Sequence, residues 1–364
     1  MRIDAIALGT LDIPLFRPFK TALRTTASVR TAVVRVRADG LECWGECPPT
    51  PAITGDTWED IAADLVGASS RLRGASGSLE ELVDALGRLG LRTASARAAL
   101  DIALRDGDAQ TRGVPLWRTL TEQPTATGPR AVVTDVTVSV DDPDTMAAQA
   151  SELVARGFAV LKVKVGTDAA LDPERLRAVR AAAPEAVLRA DANQGWTADE
   201  AIELIRGFED DGIGLELVEQ PVARHDLAGL KRVTDAVATP ILADEAVFSA
   251  EDAHHVIDER AADLINVKLM KTGGLTEALK VASLAEEAGV GCMVGAMMES
   301  PISIAAAAHL AAARGCFTMA DLDPPLLCAG NPVRGGIAYD GARIVLSDGP
   351  GLAIDGVQGV EWWA

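Results

Sequence analysis

Charged residues stand in this 364-residue chain where the surrounding pattern is apolar β-strand. Lys162 and Lys164 lie on LKVKVG, Asp191 and Asn193 on RADANQ, and Glu219 near the end of LELVEQP. Asp244 and Glu245 end ILADE, Lys268 lies on LINVKL, and Asp321 and Asp323 lie on TMADLD. Lys164, Asp191, Glu219, Asp244 and Lys268 follow one another at intervals of 27, 28, 25 and 24 residues. Each interval is about one strand–helix unit, so the five return to one height on successive strands of one sheet. Asp191, Glu219 and Asp244 form an all-oxygen ligand set, suited to a hard cation such as Mg²⁺ with water or substrate completing the octahedron. Four histidines and five scattered cysteines give no zinc pattern. Lys164 precedes the carboxylate trio by one strand and Lys268 follows it by one. In a closed barrel they stand on opposite sides of a substrate held at the cation. Lys162 and Lys164 are two apart on a strand and face the same side. Adjacent ammonium groups are expected to lower one another's pKa, which favours Lys164 as a base. A divalent cation with a base on each face fits proton abstraction α to a carboxylate, the cation stabilising the enediolate. Proton loss on one face and return on the other is racemisation or epimerisation.

The elements that must position these residues are legible from about Val136 onward. Short Val/Ile/Leu-rich runs (VTVSV, VLKVKV, VLRADA, LELVEQ, PILADE, LINVKL, CMVGA, FTMADL) alternate with helix-length segments, among them 143–155, 171–183, 198–208 and 275–288. Eight such runs predict a modified TIM (β/α) barrel, whose active site forms at the strand carboxyl ends. Before it the texture is mixed. Strands are predicted at 2–15, 30–38 and 41–46, with a turn at Ala38-Asp39-Gly40, then helices near 58–66, 79–89 and 95–109. That is an N-terminal α+β capping domain, expected over 1–125, with the barrel over 126–330. The Gly-rich tail, 331–364, carries two predicted strands, 336–339 and 343–346, and is expected to return to the capping domain.

Composition limits the partners. With 34 Lys+Arg against 53 Asp+Glu the net charge is −19, and no basic cluster offsets it, which argues against nucleic acid or an anionic membrane. The longest near-apolar run, 301–313, is too short to span a bilayer. The first residues lack a basic and then apolar signal pattern, and the scattered cysteines read as reduced thiols, so a cytoplasmic location is expected. Aromatics are only 4%, so Ala, Val, Leu and Ile must build the core.

The motifs LKVKVG, RADANQGW, ELVEQP, ILADE and LINVKLMKTGG, in this order, resemble the enolase superfamily, muconate-lactonizing-enzyme subgroup, over almost the whole chain. The resemblance implies one Mg²⁺ per active site on Asp191, Glu219 and Asp244. It implies acid/base roles for Lys164 and Lys268 and a contact of Lys162 with the substrate carboxylate. The D-x-D of Asp321 and Asp323 looks like that of the dipeptide epimerases, where the pair holds the substrate α-ammonium. PFKTALRT, with ITGD further on, resembles the bacterial alanine–glutamate epimerases. There an Arg at the position of Arg24 grips the distal carboxylate of a C-terminal glutamate, a pairing suited to a guanidinium. Thr137, Ala296 and Met298 match positions that line the dipeptide. The implied reaction is epimerisation of the C-terminal residue of a dipeptide, L-Ala-L-Glu to L-Ala-D-Glu. Related alternatives are an N-succinylamino-acid racemase, an o-succinylbenzoate synthase and a muconate cycloisomerase, whose substrates lack a free α-ammonium. A catalytically silent metabolite-binding barrel is the non-enzyme alternative, and a homo-oligomer is left open.

Overall fold

The computed structural model describes residues 1–122 and 131–364, so the expected domain boundary at 125/126 lies outside the described residues. β1 (Ile3–Lys20), β2 (Thr25–Ala38) and β3 (Leu41–Cys47) form an antiparallel sheet. β1 and β2 run past the predicted ends, because pairing resumes beyond an irregularity between Pro14 and Phe19 and continues to Lys20 opposite Thr25. In this distal stretch Phe16, Arg17 and Pro18 are exposed in succession and Phe19 is half-buried, so it lacks the alternation that marks a half-buried strand. Four helices follow: α1 (Trp58–Leu72), α2 (Leu79–Gly87), α3 (Ala94–Thr111) and α4 (Leu116–Leu120). α1 outruns its predicted end because Ala68 and Leu72 continue its buried face. Ser78 and Glu81 close a capping box at the start of α2.

β4 (Val132–Val133) leads to the barrel. Its units are β5 (Val136–Val138), α5 (Pro143–Ala155), β6 (Val160–Lys164), α6 (Asp172–Ala182), β7 (Val187–Asp191), α7 (Ala198–Asp210), β8 (Leu215–Glu219) and α8 (Leu227–Ala236). Then come β9 (Ile241–Ala243), α9 (Ala250–Asp258), β10 (Leu264–Lys268), α10 (Leu269–Thr272), α11 (Leu275–Ala288), β11 (Gly291–Gly295), α12 (Pro301–Ala313), β12 (Phe317–Asp321) and α13 (Pro324–Leu327). β5 to β12 pair in parallel in sequence order. The Asp135 amide donates to Ala320 O at 3.0 Å, which brings the chain before β5 against β12 and nearly closes the ring. α12 is apolar all round and almost wholly buried, as a helix packed on every side must be. It lies under the cap, where Ser303 donates N–H and Oγ–H to Glu46 Oε1 at 2.9 and 2.7 Å.

The tail supplies β13 (Val333–Gly335), β14 (Ile337–Asp340), β15 (Arg343–Leu346), β16 (Ile354–Val357) and β17 (Glu361–Trp362). β17 pairs with β1 in the cap, whereas β15 pairs with β4 and β13 with β16.

Candidate active site

The carboxyl ends of the barrel strands meet under the β1–β2 hairpin. Parallel register sets Lys164 beside Asp191, and Asp191 beside Glu219. Lys162 Nζ lies 2.6 Å from Asp321 Oδ2, 2.7 Å from Glu219 Oε2 and 3.1 Å from Asp191 Oδ2. Lys164 Nζ donates to Asp191 Oδ2 at 2.5 Å, and Lys268 Nζ to Asp244 Oδ2 at 2.6 Å. Glu219 Oε1 accepts from Asn266 Nδ2 at 2.9 Å. Asp191, Glu219, Asp244 and Lys162 are all fully buried.

Burial and the lysines act oppositely on the carboxylates. Burial pushes Asp191 and Asp244 up, but Lys164 and Lys162 hold the first, and Lys268 and Lys271 the second, below the usual range. Glu219, buried between Asp191 and Asp244, is pushed up to about 7. The expectation that Lys162 and Lys164 lower one another's pKa does not hold for Lys162. Burial opposes its charge, yet Asp321, Glu219 and Asp191 surround its ammonium and raise its pKa.

Among the described residues no three carboxylate, histidine or cysteine side chains close around one point. Lys162 bridges Asp191 and Glu219, and Lys268 bridges Glu219 and Asp244. The donor chemistry nevertheless fits a divalent cation. Asp191, Glu219 and Asp244 are hard anionic oxygen donors on three consecutive strands. Glu219 Oε2 and Asp244 Oδ1 are buried with no hydrogen bond; each meets only an ammonium, at 2.7 and 2.6 Å, outside hydrogen-bond geometry.

Backbone conformation supports the arrangement. Asn193, Gln194 and Gln220 have φ of 43°, 69° and 36°, uncommon for residues with side chains. The turn at Asn193 lets its amide donate to Asp191 Oδ1 at 2.9 Å. A Cβ on Gly166 would stand 2.2 Å from Ala192 O, so the loops after β6 and β7 touch backbone to backbone. A Cβ on Gly295 would stand 2.5 Å from Asn266 Oδ1 and 2.8 Å from Lys268 Cε, so a side chain there would displace both.

The remaining predicted residues line the same cavity: Arg24, Thr137, Ala296, Met298, Asp321 and Asp323 join Lys164 and Lys268. One oxygen of each aspartate is engaged, Asp321 Oδ2 by Lys162 and Asp323 Oδ2 by the Thr137 amide at 2.7 Å. Lys162 holds Asp321 down to about 2, whereas burial and Asp321 push Asp323 up to about 7. Arg24 sits at the hairpin tip, and the hairpin docks on the barrel where Val140 N donates to Lys20 O at 3.2 Å. The Arg24 guanidinium, its pKa lowered by burial, makes no ion pair or side-chain hydrogen bond with another described residue.

Four residues at the site escaped sequence reasoning. Lys271 Nζ donates to Asp244 O and to Asn266 O at 2.9 Å, while lying 2.6 Å from Asp244 Oδ1. Asn266 positions Glu219, and Gln220 Oε1 accepts from Asp244 N at 2.9 Å. Asp135 pairs with Arg189 at 2.8 Å inside the barrel. Lys271 and Gln220 lie in quoted motifs, but their contacts cross from strand to strand and leave no local pattern.

A barrel with lysines and carboxylates at its mouth and a strand-rich cap above defines a class of proteins, and the comparisons agree with it. Residues 6–120 match the mandelate racemase / muconate lactonizing enzyme N-terminal domain, and residues 145–358 match the enolase C-terminal domain-like family. The chain belongs to the enolase superfamily, in its mandelate racemase/muconate lactonizing branch. It is 45% identical over 362 residues to the L-Ala-D/L-Glu epimerase of Bacillus subtilis, covering 98% of this chain and 97% of that one. A substrate-liganded structure of the B. subtilis L-Ala-D/L-Glu epimerase superposes with a TM-score of 0.94 at 44% identity, covering 98% and 99% of the two chains. The dipeptide epimerase of Enterococcus faecalis V583, complexed with Mg and L-Leu-L-Tyr, superposes at 0.92 with 38% identity, covering 97% and 99%.

Proposed function

We propose that this protein epimerises the C-terminal residue of a dipeptide, converting L-alanyl-L-glutamate to L-alanyl-D-glutamate. The observation that carries the reading is the distribution of charge around one cavity. Two lysines face it from strands on opposite sides, an unpaired Arg24 faces it from the cap, and Asp321 and Asp323 face it from β12. A zwitterionic peptide with an acidic side chain satisfies all of these at once. In this reading Asp321 and Asp323 receive the α-ammonium, and Lys162 stands near the terminal carboxylate. Lys164 and Lys268 then flank the carbon that carries both that carboxylate and the glutamyl side chain. One lysine removes the α-proton and the other returns a proton to the opposite face. Thr137, Ala296 and Met298 bound the peptide. Asp191, Glu219 and Asp244 would hold a divalent cation, Mg²⁺ by their chemistry and by analogy with the E. faecalis complex, and it would stabilise negative charge next to the reacting carbon.

Racemases of N-succinylated amino acids, o-succinylbenzoate synthase and muconate cycloisomerase are disfavoured by the Asp321–Asp323 pair, because their substrates bring no α-ammonium to it. No helix among the described residues is long and apolar enough to cross a membrane, and a cytoplasmic location suits a peptide-metabolising enzyme with free cysteines. The test incubates a dipeptide library in deuterated water with Mg²⁺. Mass spectrometry should find α-deuterium in alanyl-glutamate, and chiral separation should find both epimers. No exchange on any dipeptide overturns the proposal.

A further inference from the structure

Asp321 and Asp323 are held in different ways. Asp321 is the last residue of β12, where it pairs with Gly295 of β11 and accepts from Lys162 Nζ at 2.6 Å. Asp323 lies past the strand end, so the ladder does not fix it. Between them Leu322 is fully buried, and its peptide groups need partners. Side chains supply them. Leu322 N donates to Thr134 Oγ1 at 2.8 Å, and Leu322 O accepts from the Tyr339 hydroxyl at 2.6 Å. Thr134 precedes β5, and Tyr339 stands on β14 of the C-terminal tail. Just past β14, Ala342 O accepts from Thr134 N at 2.9 Å. The tail and the chain before β5 thus form one brace at the seam between β12 and β5, the two end strands of the barrel sheet. Burial and the Asp323 charge push the Tyr339 pKa up, so its hydroxyl stays protonated and can donate.

We propose that Tyr339, together with Thr134, is a positioning residue for the substrate ammonium: the two hold Leu322 and so keep Asp323 facing the reaction cavity beside Asp321. The proposal rests on the dipeptide reading and deepens it. Leu322 O lies in one peptide plane with the N–H and Cα of Asp323, so a bond to that oxygen fixes where the Asp323 side chain starts. The Thr137 amide then fixes the Asp323 carboxylate at 2.7 Å. Asp321 keeps its ladder and its lysine when the brace is lost, so the two bases and the carboxylate trio stay as they are. The consequence falls on binding. An ammonium at one end of the peptide is held alike before and during proton transfer at the other end, so loosening Asp323 raises KM and leaves kcat in place. A hydroxyl that served only to pack the tail would, on removal, reduce the folded fraction, which lowers apparent kcat with KM unchanged.

The experiment measures kcat and KM for L-alanyl-L-glutamate in three variants. Tyr339→Phe keeps the ring and removes only the hydroxyl. Thr134→Val tests the same brace from its other end, and Thr134→Ser keeps the oxygen that accepts from Leu322 N. Tyr339→Phe and Thr134→Val should each raise KM by about tenfold or more, with kcat within about threefold of wild type. Thr134→Ser should stay within about threefold of the wild-type KM. An unchanged KM in Tyr339→Phe, or a fall in kcat as large as the rise in KM, overturns the positioning role and leaves the dipeptide reading intact. A KM for Thr134→Ser as high as that for Thr134→Val does the same. Failure of the wild type to epimerise the peptide overturns that reading, and the positioning role with it.

Discussion

Lys164 and Lys268 end strands four apart in an eight-stranded barrel, and each ammonium is paired with a different carboxylate, Asp191 Oδ2 at 2.5 Å and Asp244 Oδ2 at 2.6 Å. Glu219 lies between these two acids along the sheet, and Lys162 reaches both Glu219 and Asp191. The cluster is thus one charge network rather than separate pairs. Burying so many charges together is costly, and such networks persist where their chemistry is used.

Removal of either lysine should stop epimerisation without unfolding the barrel. Asp191 keeps Lys162 at 3.1 Å when Lys164 is lost, and Asp244 keeps Lys271 at 2.6 Å when Lys268 is lost. Loss of a positioned acid/base group costs about 10²–10⁴ in rate, so Lys164→Ala and Lys268→Ala should each lower kcat by at least this much. Each variant should still exchange the α-proton of the one epimer that faces its remaining lysine, read by deuterium uptake. Wild-type epimerisation by either variant would refute the assignment of the two bases.

Metal dependence follows from the oxygen donor set. Chelation by EDTA should abolish turnover and added Mg²⁺ should restore it. Asp191→Asn, Glu219→Gln and Asp244→Asn should each weaken Mg²⁺ binding in calorimetry, because an amide is a poorer ligand than a carboxylate for a hard cation. Undiminished turnover in excess EDTA, with no metal found by elemental analysis, contradicts this assignment.

His309 makes a prediction about stability rather than activity. It is fully buried on α12, its Nδ1 accepts from the Trp117 amide at 3.0 Å, and burial alone pushes its pKa from 6.5 down to about 3. The neutral imidazole is therefore the folded form. Below pH 6.5 the unfolded chain takes up a proton that the folded protein refuses, so stability falls as pH drops from 6.5 towards 3. His309→Asn keeps an acceptor near the Nδ1 position and does not titrate. Its urea midpoint should be lower than wild type at neutral pH. The gap should then narrow on acidification, by up to about 1.4 kcal/mol per pH unit. A gap that stays constant down to about pH 4 shows that His309 is not the group responsible.

The barrel was legible because each strand–helix unit repeats one pattern. The runs from VTVSV to FTMADL became β5 to β12 in order, and the intervals between Lys164 and Lys268 placed five side chains at one end of it. The cap was legible in outline only. In the distal part of its hairpin Phe16, Arg17 and Pro18 are exposed in a row, so the apolar alternation that marks a buried strand stops before Phe16. Contacts across the barrel left no trace in local sequence. The Lys162–Asp321 bond joins residues 159 apart, and it is one reason why the pKa of Lys162 is raised and not lowered. Lys271 was visible in KLMKTGG, but only the fold brings it onto Asp244.

Substrate preference turns on Arg24. Its guanidinium reaches the reaction cavity from the hairpin tip and has no carboxylate partner among the described residues, so burial lowers its pKa with nothing to oppose it. A carboxylate on the substrate side chain would supply that partner, bidentate and partly desolvated. Removing one member of such a pair costs about 2–5 kcal/mol. At about 1.36 kcal/mol per decade, Arg24→Met should lower kcat/KM for L-alanyl-L-glutamate by roughly 30-fold or more. L-alanyl-L-leucine has no carboxylate to lose and should be spared. N-acetylation tests the other end: N-acetyl-L-alanyl-L-glutamate takes the substrate ammonium away from Asp321 and Asp323 and should react far more slowly than the free dipeptide in wild type and variant alike. Equal losses on both free dipeptides would remove Arg24 as the specificity residue. A preference for the acetylated peptide would instead favour the N-acylamino-acid racemases, because the aspartate pair would then hold no substrate ammonium.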